Sequence, residues 1–132
     1  MTTAVDSSAL IAILKAEPTA DAWISILNNA SQQGPLVICN TVAAEISALF
    51  ASSDEWVEFC DSFHLHLVAD TPASCWEAGQ RFARYRRSGG LREHLIPDFQ
   101  VAAHALHHAD RLATSDRGFH RNHFSDLTVL RP

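Results

Sequence analysis

The chain has 132 residues, of which 47% are hydrophobic and 19% are charged, and its formal net charge at pH 7 is −5. This length predicts a single domain over residues 1–132. No apolar run approaches the roughly 20 residues of a membrane-spanning helix. The N-terminal segment also lacks the charged region that precedes the apolar stretch of a secretory signal. We therefore expect a cytoplasmic protein with no membrane partner.

Short apolar runs alternate with helical patterns along the chain. The run "TAVD" predicts a first strand, followed by the helices "SALIAILKAE" and "TADAWISILNNA". The run "PLVIC" predicts a second strand, followed by the helix "NTVAAEISALFA" and by a helix that begins at "SSDEWVEFC". A third strand is expected at "FHLHLV", and the helix "TPASCWEAGQRFARYRRS" after it should end at Gly89 and Gly90. A further helix, "PDFQVAAHALHHA", precedes the strands "RLAT" and "LTVL". This alternation predicts an α/β domain with a mostly parallel, buried sheet.

The charges are distributed unevenly between the two parts of the chain. Residues 1–80 contain one basic and ten acidic residues, a net charge of −9, whereas residues 81–132 contain nine basic and five acidic residues, a net charge of +4. Five arginines fall in "RFARYRRSGGLR", namely Arg81, Arg84, Arg86, Arg87 and Arg92. Composition alone favours a solvated helix face. Arginine without lysine also suits contact with phosphate, because the guanidinium group matches phosphate oxygens.

The three cysteines, Cys39, Cys60 and Cys75, are scattered and odd in number. No pair has the spacing of a metal site. They are therefore expected to be buried free thiols.

Four acidic residues fall where strands end or helices begin. Asp6 ends the first strand, Glu45 lies in the first turns of the helix after "PLVIC", Asp98 opens a helix and Asp116 follows "RLAT". Taken singly, the aspartates are most simply helix caps or turn residues, and Glu45 a solvated side chain. Sites in parallel α/β sheets form at the carboxyl ends of the strands, however, so these four residues can meet at one edge. Four such carboxylates repel one another unless a cation joins them, and oxygen ligands suit Mg²⁺ or Mn²⁺.

The segments "AVDSSALIAIL", "NTVAAEISAL", "PDFQVAAHAL" and "LATSDRGF" resemble, in order, the four acidic motifs of PIN-domain ribonucleases, and most of all the VapC-type toxins of bacterial toxin–antitoxin pairs. The resemblance covers essentially the whole chain. It implies a three-layer α/β/α fold whose central, mostly parallel sheet has about five strands in the order 3-2-1-4-5. It also implies a Mg²⁺- or Mn²⁺-dependent endoribonuclease that cleaves single-stranded or looped RNA (tRNA, rRNA or mRNA). The implied partners are the RNA, a cognate VapB-type antitoxin and a second copy of the chain.

Residue by residue, the resemblance assigns the metal-binding quartet to Asp6, Glu45, Asp98 and Asp116. Ser7 and Thr114 match hydroxyl residues that accompany the first and fourth acids, and they are expected to fix the carboxylate rotamers. The five arginines are then expected to follow the RNA backbone and to supply affinity rather than sequence choice.

Other functions are less well supported by the residues. A receiver-like signalling module would need a Lys near the last strand, and the only Lys is Lys15. A PIN-like binding module without nuclease activity would not need a complete quartet. His104, His107 and His108 share a helical face that could bind Zn²⁺, but surface histidines are the simpler interpretation.

Overall fold

The computed structural model describes residues 1–90, 94–116 and 118–132. Its strands are β1 (Thr3–Val5), β2 (Leu36–Ile38), β3 (Leu65–Leu67), β4 (Arg111–Ala113) and β5 (Val129–Leu130). Its helices are α1 (Ser7–Leu14), α2 (Ala20–Gln33), α3 (Asn40–Ser47), α4 (Ser53–Ser62), α5 (Pro72–Arg87), α6 (Ile96–His108) and α7 (Phe119–His123).

The five strands form one sheet in the order β3-β2-β1-β4-β5, and every neighbouring pair is parallel. This order and the α/β/α layering confirm the expected fold class. The central strand β1 pairs with β2 on one side and with β4 on the other, with Ala4 opposite both Val37 and Leu112. All three residues of β1 and of β2 are buried, which explains why these strands appear in the sequence as unbroken apolar runs.

The strand order reverses between β1 and β4, because the chain moves outward from β1 to β3 and then returns to the other side of β1. A reversal of this kind leaves a crevice at the carboxyl ends of the two central strands. Asp6 directly follows β1, and its backbone N–H donates to the carbonyl of Ala113, the last residue of β4. The fold therefore places the first acid at the crevice.

Helix α5 begins and ends as its sequence predicts. The Thr71 hydroxyl accepts from the N–H of Ser74 at 3.2 Å, and Pro72 occupies the first helical position, where a missing N–H costs nothing. The helix ends at Arg87, and Gly89 follows with a φ of 82°. That left-handed backbone is easiest for glycine.

The core lies between the sheet and the helices that cover it. Its largest fully buried side chains include Trp23 of α2, Leu10 of α1, and Phe99 of α6. Helix α5 packs along α6, with the ring of Phe82 5.4 Å from the ring of Phe99. Among the described helices, none is long and apolar enough to cross a membrane.

Two expectations from the sequence differ from the structure. The cysteines are free, but only Cys39 is buried, Cys60 is half-buried and Cys75 is exposed on α5. Burial raises the pKa of the Cys39 thiol to about 11. The one-and-a-half-turn helix α7, after Asp116, was not expected, because residues 118–123 carry no apolar repeat long enough to indicate a helix.

Candidate active site

Asp6 is held in place by three hydrogen bonds. Its Oδ1 accepts from the N–H of Ser7 at 2.9 Å and so caps α1. Its Oδ2 accepts from the hydroxyls of Ser8 and Thr114, both at 2.8 Å. A carboxylate that accepts three hydrogen bonds has little rotamer freedom. The orientation of Asp6 at the end of the central strand is therefore fixed.

The same hydroxyls connect the ends of β1 and β4. Thr114 is fully buried, and its Oγ1 accepts from the N–H of Asp116 at 3.1 Å. The Ser8 Oγ accepts from the N–H of Ser115 at 3.0 Å. Thr114 therefore contacts both the first acid and the backbone of the fourth.

Glu45 approaches the site from α3. The Ser7 hydroxyl donates to its Oε2 at 3.1 Å. The residue is nevertheless exposed. Burial of part of the carboxyl raises its pKa, and the charges of Asp6 and Asp98 raise it further, against the opposing effect of the Ser7 hydrogen bond. The carboxylates are thus close enough to repel one another.

Asp98 both caps a helix and faces the site. Its Oδ2 accepts from the N–H of Leu95 at 3.1 Å at the start of α6. The Nδ1 of His94 lies 3.9 Å from the same oxygen. About half of the Asp98 side chain is exposed (49%), so the residue is accessible to solvent or to a ligand.

Asp116 lies between β4 and α7, beside a histidine that the sequence patterns did not single out. The Nδ1 of His120 is 4.0 Å from Oδ2 of Asp116. His120 is only 4% exposed, and burial lowers its pKa although Asp116, Asp6 and Asp98 act in the opposite direction.

One cavity of about 250 Å³ joins the four acids, and its lining also includes Ser7, Pro97, Val101, Phe119 and His120. Carboxylate oxygens are the ligands that Mg²⁺ and Mn²⁺ prefer, so the chemical type of these side chains suits such a cation. Within residues 1–90, 94–116 and 118–132, no three His, Cys, Asp or Glu side chains stand in an arrangement ready to hold a metal ion.

The predicted arginine set has a mixed environment. Arg84, Arg86 and Arg87 are exposed on the last turns of α5. Arg81 instead makes two hydrogen bonds to the carboxylate of Asp126, at 2.7 and 2.9 Å, and another to Glu77. The fifth predicted residue, Arg92, lies outside the described residues.

Arg81 has two further internal contacts. Its Nη1 donates to the carbonyl of His123 at 3.0 Å, and its guanidinium lies 4.4 Å from the centre of the Phe124 ring. The hydrogen bond from Arg81 holds the pKa of Asp126 below its usual range. Arg81 is therefore engaged within the fold, unlike the three exposed arginines on the same helix.

The histidines of α6 do not share one exposed face. His104 is 1% exposed, and its Nε2 lies 2.7 Å from the carbonyl of Val68, so the expectation of a surface histidine is wrong at this position. His107 lies 3.7 Å from Glu77, and His108 lies 3.5 Å from the Thr71 hydroxyl. His104 is buried because it faces the strand end at Val68 rather than solvent.

Ser8 and His120 are the site residues that sequence reasoning missed. Ser8 follows Asp6 by two residues, and a hydroxyl at that offset commonly bonds to an aspartate, which was an available signal. His120 follows Asp116 by four residues, but that spacing has meaning only once α7 is known to be a helix.

Solved structures with a similar fold include complexes from several bacteria. VapBC2 from Rickettsia felis, bound to a DNA fragment from their promoter, superposes with a TM-score of 0.78 at 15% identity, covering 100% of this chain and 99% of that one. VapBC-1 from nontypeable Haemophilus influenzae superposes with a TM-score of 0.73 at 19% identity, covering 99% of this chain and 98% of that one. FitAcB from Neisseria gonorrhoeae superposes with a TM-score of 0.62 at 17% identity, covering 97% of this chain and 96% of that one.

Comparison with curated proteins by sequence gives no match. A family model does match, and its description is "PIN domain". The match runs over residues 3–124, which span all four acids, the strands β1 to β4 and the helix α7. The chain therefore belongs to the PIN domain family of nucleases.

Proposed function

We propose that this protein is a divalent-metal-dependent endoribonuclease, the toxin of a toxin–antitoxin pair, which hydrolyses phosphodiester bonds in single-stranded or looped RNA. The observation that carries the proposal is that Asp6, Glu45, Asp98 and Asp116, from four separate segments, line a single cavity. Membership of the PIN domain family supports the same reaction class.

Asp6, Asp98, Asp116 and Glu45 are the residues that would hold Mg²⁺ or Mn²⁺. When bound, the cation would offset the charge of the scissile phosphate and lower the pKa of a nearby water. Asp6 would provide the fixed ligand, because three donors already set its orientation. Glu45 reaches the cavity from α3 and would either bind a second cation or orient the attacking water.

Arg84, Arg86 and Arg87 are proposed to contact the RNA backbone. They are exposed, and their helix packs along α6, the helix that begins beside Asp98. RNA bound on this face is proposed to extend to the acidic cavity. Contacts of this kind supply affinity that falls with salt rather than base specificity. We leave Arg81 out of the set because its guanidinium is already engaged.

The proposal is tested by RNA cleavage with Mg²⁺, with Mn²⁺ and with EDTA. The wild type should cleave only when a divalent cation is present, and Asp6→Asn should lose cleavage while keeping the helix cap, since the amide oxygen still accepts. Asp98→Asn should have the same effect, and it alters a half-exposed side chain on which the core does not depend. Asp54→Asn, at an exposed position in the first turn of α4, is the matched control and should cleave as the wild type does.

Cleavage in EDTA would contradict the metal requirement. Undiminished cleavage by folded Asp98→Asn protein would show that Asp98 is not a site residue. If Asp6→Asn were also fully active, the nuclease assignment would be contradicted.

We infer that a cognate antitoxin covers an apolar groove beside the acidic cavity. The groove has a volume of about 530 Å³, shares Glu45 and Asp98 with the cavity, and includes the exposed side chain of Leu95. An antitoxin bound there would block the acids directly. Leu95→Asp should therefore weaken inhibition by a candidate antitoxin, whereas Leu49→Asp, at another exposed leucine, should not. Equal inhibition of both variants would exclude this groove.

A further inference from the structure

His120 contains a buried polar atom with no partner. Its Nδ1 is enclosed and makes no hydrogen bond to any of the described residues, although the side chain lines the acidic cavity. An unsatisfied buried polar atom destabilises the folded state. Such a cost is easier to understand if the atom finds its partner in another state of the protein.

Asp116 is a candidate partner for this nitrogen. Its Oδ2 lies 4.0 Å from Nδ1, about 1 Å beyond hydrogen-bond distance. The Asp116 side chain is 37% exposed and so has room to turn, whereas His120 is fixed by its burial. A neutral imidazole carries one N–H, which Nδ1 can donate to a carboxylate.

We propose that His120 is a positioning residue for Asp116, which receives a hydrogen bond from Nδ1–H when its carboxylate turns toward the cation. The bond would fix the orientation of one metal ligand, as partners of ligating carboxylates do in other sites. It would also satisfy the buried nitrogen. This inference rests on the proposed function, because Asp116 needs to be fixed only if it binds a metal.

Two substitutions separate this role from simple packing. His120→Asn places an amide near the position of Nδ1, whereas His120→Gln places it near the position of Nε2, and both retain a polar side chain of moderate size. Mn²⁺ affinity, measured by calorimetry without RNA, should fall about tenfold in His120→Gln, and His120→Asn should stay within about threefold of the wild type. His123→Gln is the matched control, since it alters a histidine of the same helix that does not line the cavity.

A double-mutant cycle with Asp116→Ala tests whether the effect passes through the carboxylate. If it does, His120→Gln should cause no further loss of Mn²⁺ affinity in the Asp116→Ala background. Additive losses, or equal losses in His120→Asn and His120→Gln, would overturn the inference while leaving the metal site intact. Wild-type affinity in Asp116→Ala itself would instead contradict the proposed role of Asp116, and the inference would fall with it.

Discussion

Arg81 offers a sharp test, because the sequence places it in an RNA-contacting cluster and the structure places it inside the fold. Its side chain is 15% exposed and joins α5 to the segment after α7. We expect Arg81→Met, which retains the apolar stem, to destabilise the protein without changing the salt dependence of RNA binding.

The size of the effect follows from the interactions that the substitution removes. The paired hydrogen bonds to Asp126 contribute about 0.5–1 kcal/mol, because that carboxylate is half exposed and screened by solvent. The hydrogen bond to the carbonyl of His123 contributes about 1 kcal/mol. The guanidinium above the Phe124 ring contributes about 0.5 kcal/mol. With about 0.3 kcal/mol for the i,i+4 pair with Glu77, the total is about 2.5 kcal/mol, equivalent to a fall in Tm of about 7–10 °C for a domain of this size.

Urea unfolding measures the first part of the prediction and RNA binding at several salt concentrations measures the second. Arg84→Met is the matched control on the same helix, at an exposed position. It should change stability by less than about 0.5 kcal/mol, and removal of one phosphate-binding arginine should lower the salt slope by about 0.7. If Arg81→Met kept full stability and reduced the slope instead, the structural role assigned to Arg81 would be refuted.

Three further outcomes are expected. Burial lowers the pKa of His104 in the folded state, so the unfolded chain takes up protons first and the free energy of unfolding should fall as the pH drops below about 6.5; urea titrations should show a smaller fall in His104→Gln, and an equal fall would contradict this. Iodoacetamide should label Cys75 rapidly and Cys39 only after unfolding, as mass spectrometry can check, because burial raises the pKa of the Cys39 thiol to about 11. Glu45→Gln should weaken Mn²⁺ binding in calorimetry yet leave the metal-free protein as stable as the wild type at pH 7 or slightly more stable, since it removes a carboxylate whose pKa is raised by burial and by like charges; a clear loss of stability would count against that repulsion.

Much of the fold could be predicted because the strands β1 and β2 are buried on both faces. An unbroken apolar run such as "PLVIC" or "TAVD" between helical patterns has few other interpretations, and both contain observed strands. The meeting of the acids at one edge followed from the same pattern, since parallel strands end on the same side. The sheet order came from the family resemblance, as no pattern along the chain encodes which strand lies in the centre.

The environment of individual side chains could not be predicted in the same way. Arg81 and Arg84 belong to one basic segment, and only the return of the chain at Asp126 distinguishes them. His104 differs from its neighbour His107 because it is buried against Val68, a residue 36 positions away in the chain. His120 gains its place in the cavity from a five-residue helix that is too short to leave a periodic signal.

The uneven support of the four acids has a consequence for the thermodynamics of ligand capture. Asp6 is already held by three hydrogen bonds, so it has little side-chain conformational entropy to lose when a ligand binds. Asp98 and Glu45 are exposed and would lose more. The cavity thus combines one preorganised carboxylate, Asp6 at the end of the central strand, with adaptable carboxylates carried by α3, by α6 and by the segment after β4. Differences in ionic radius between cations would be absorbed by the adaptable carboxylates, and Asp6 would keep the same position in each case.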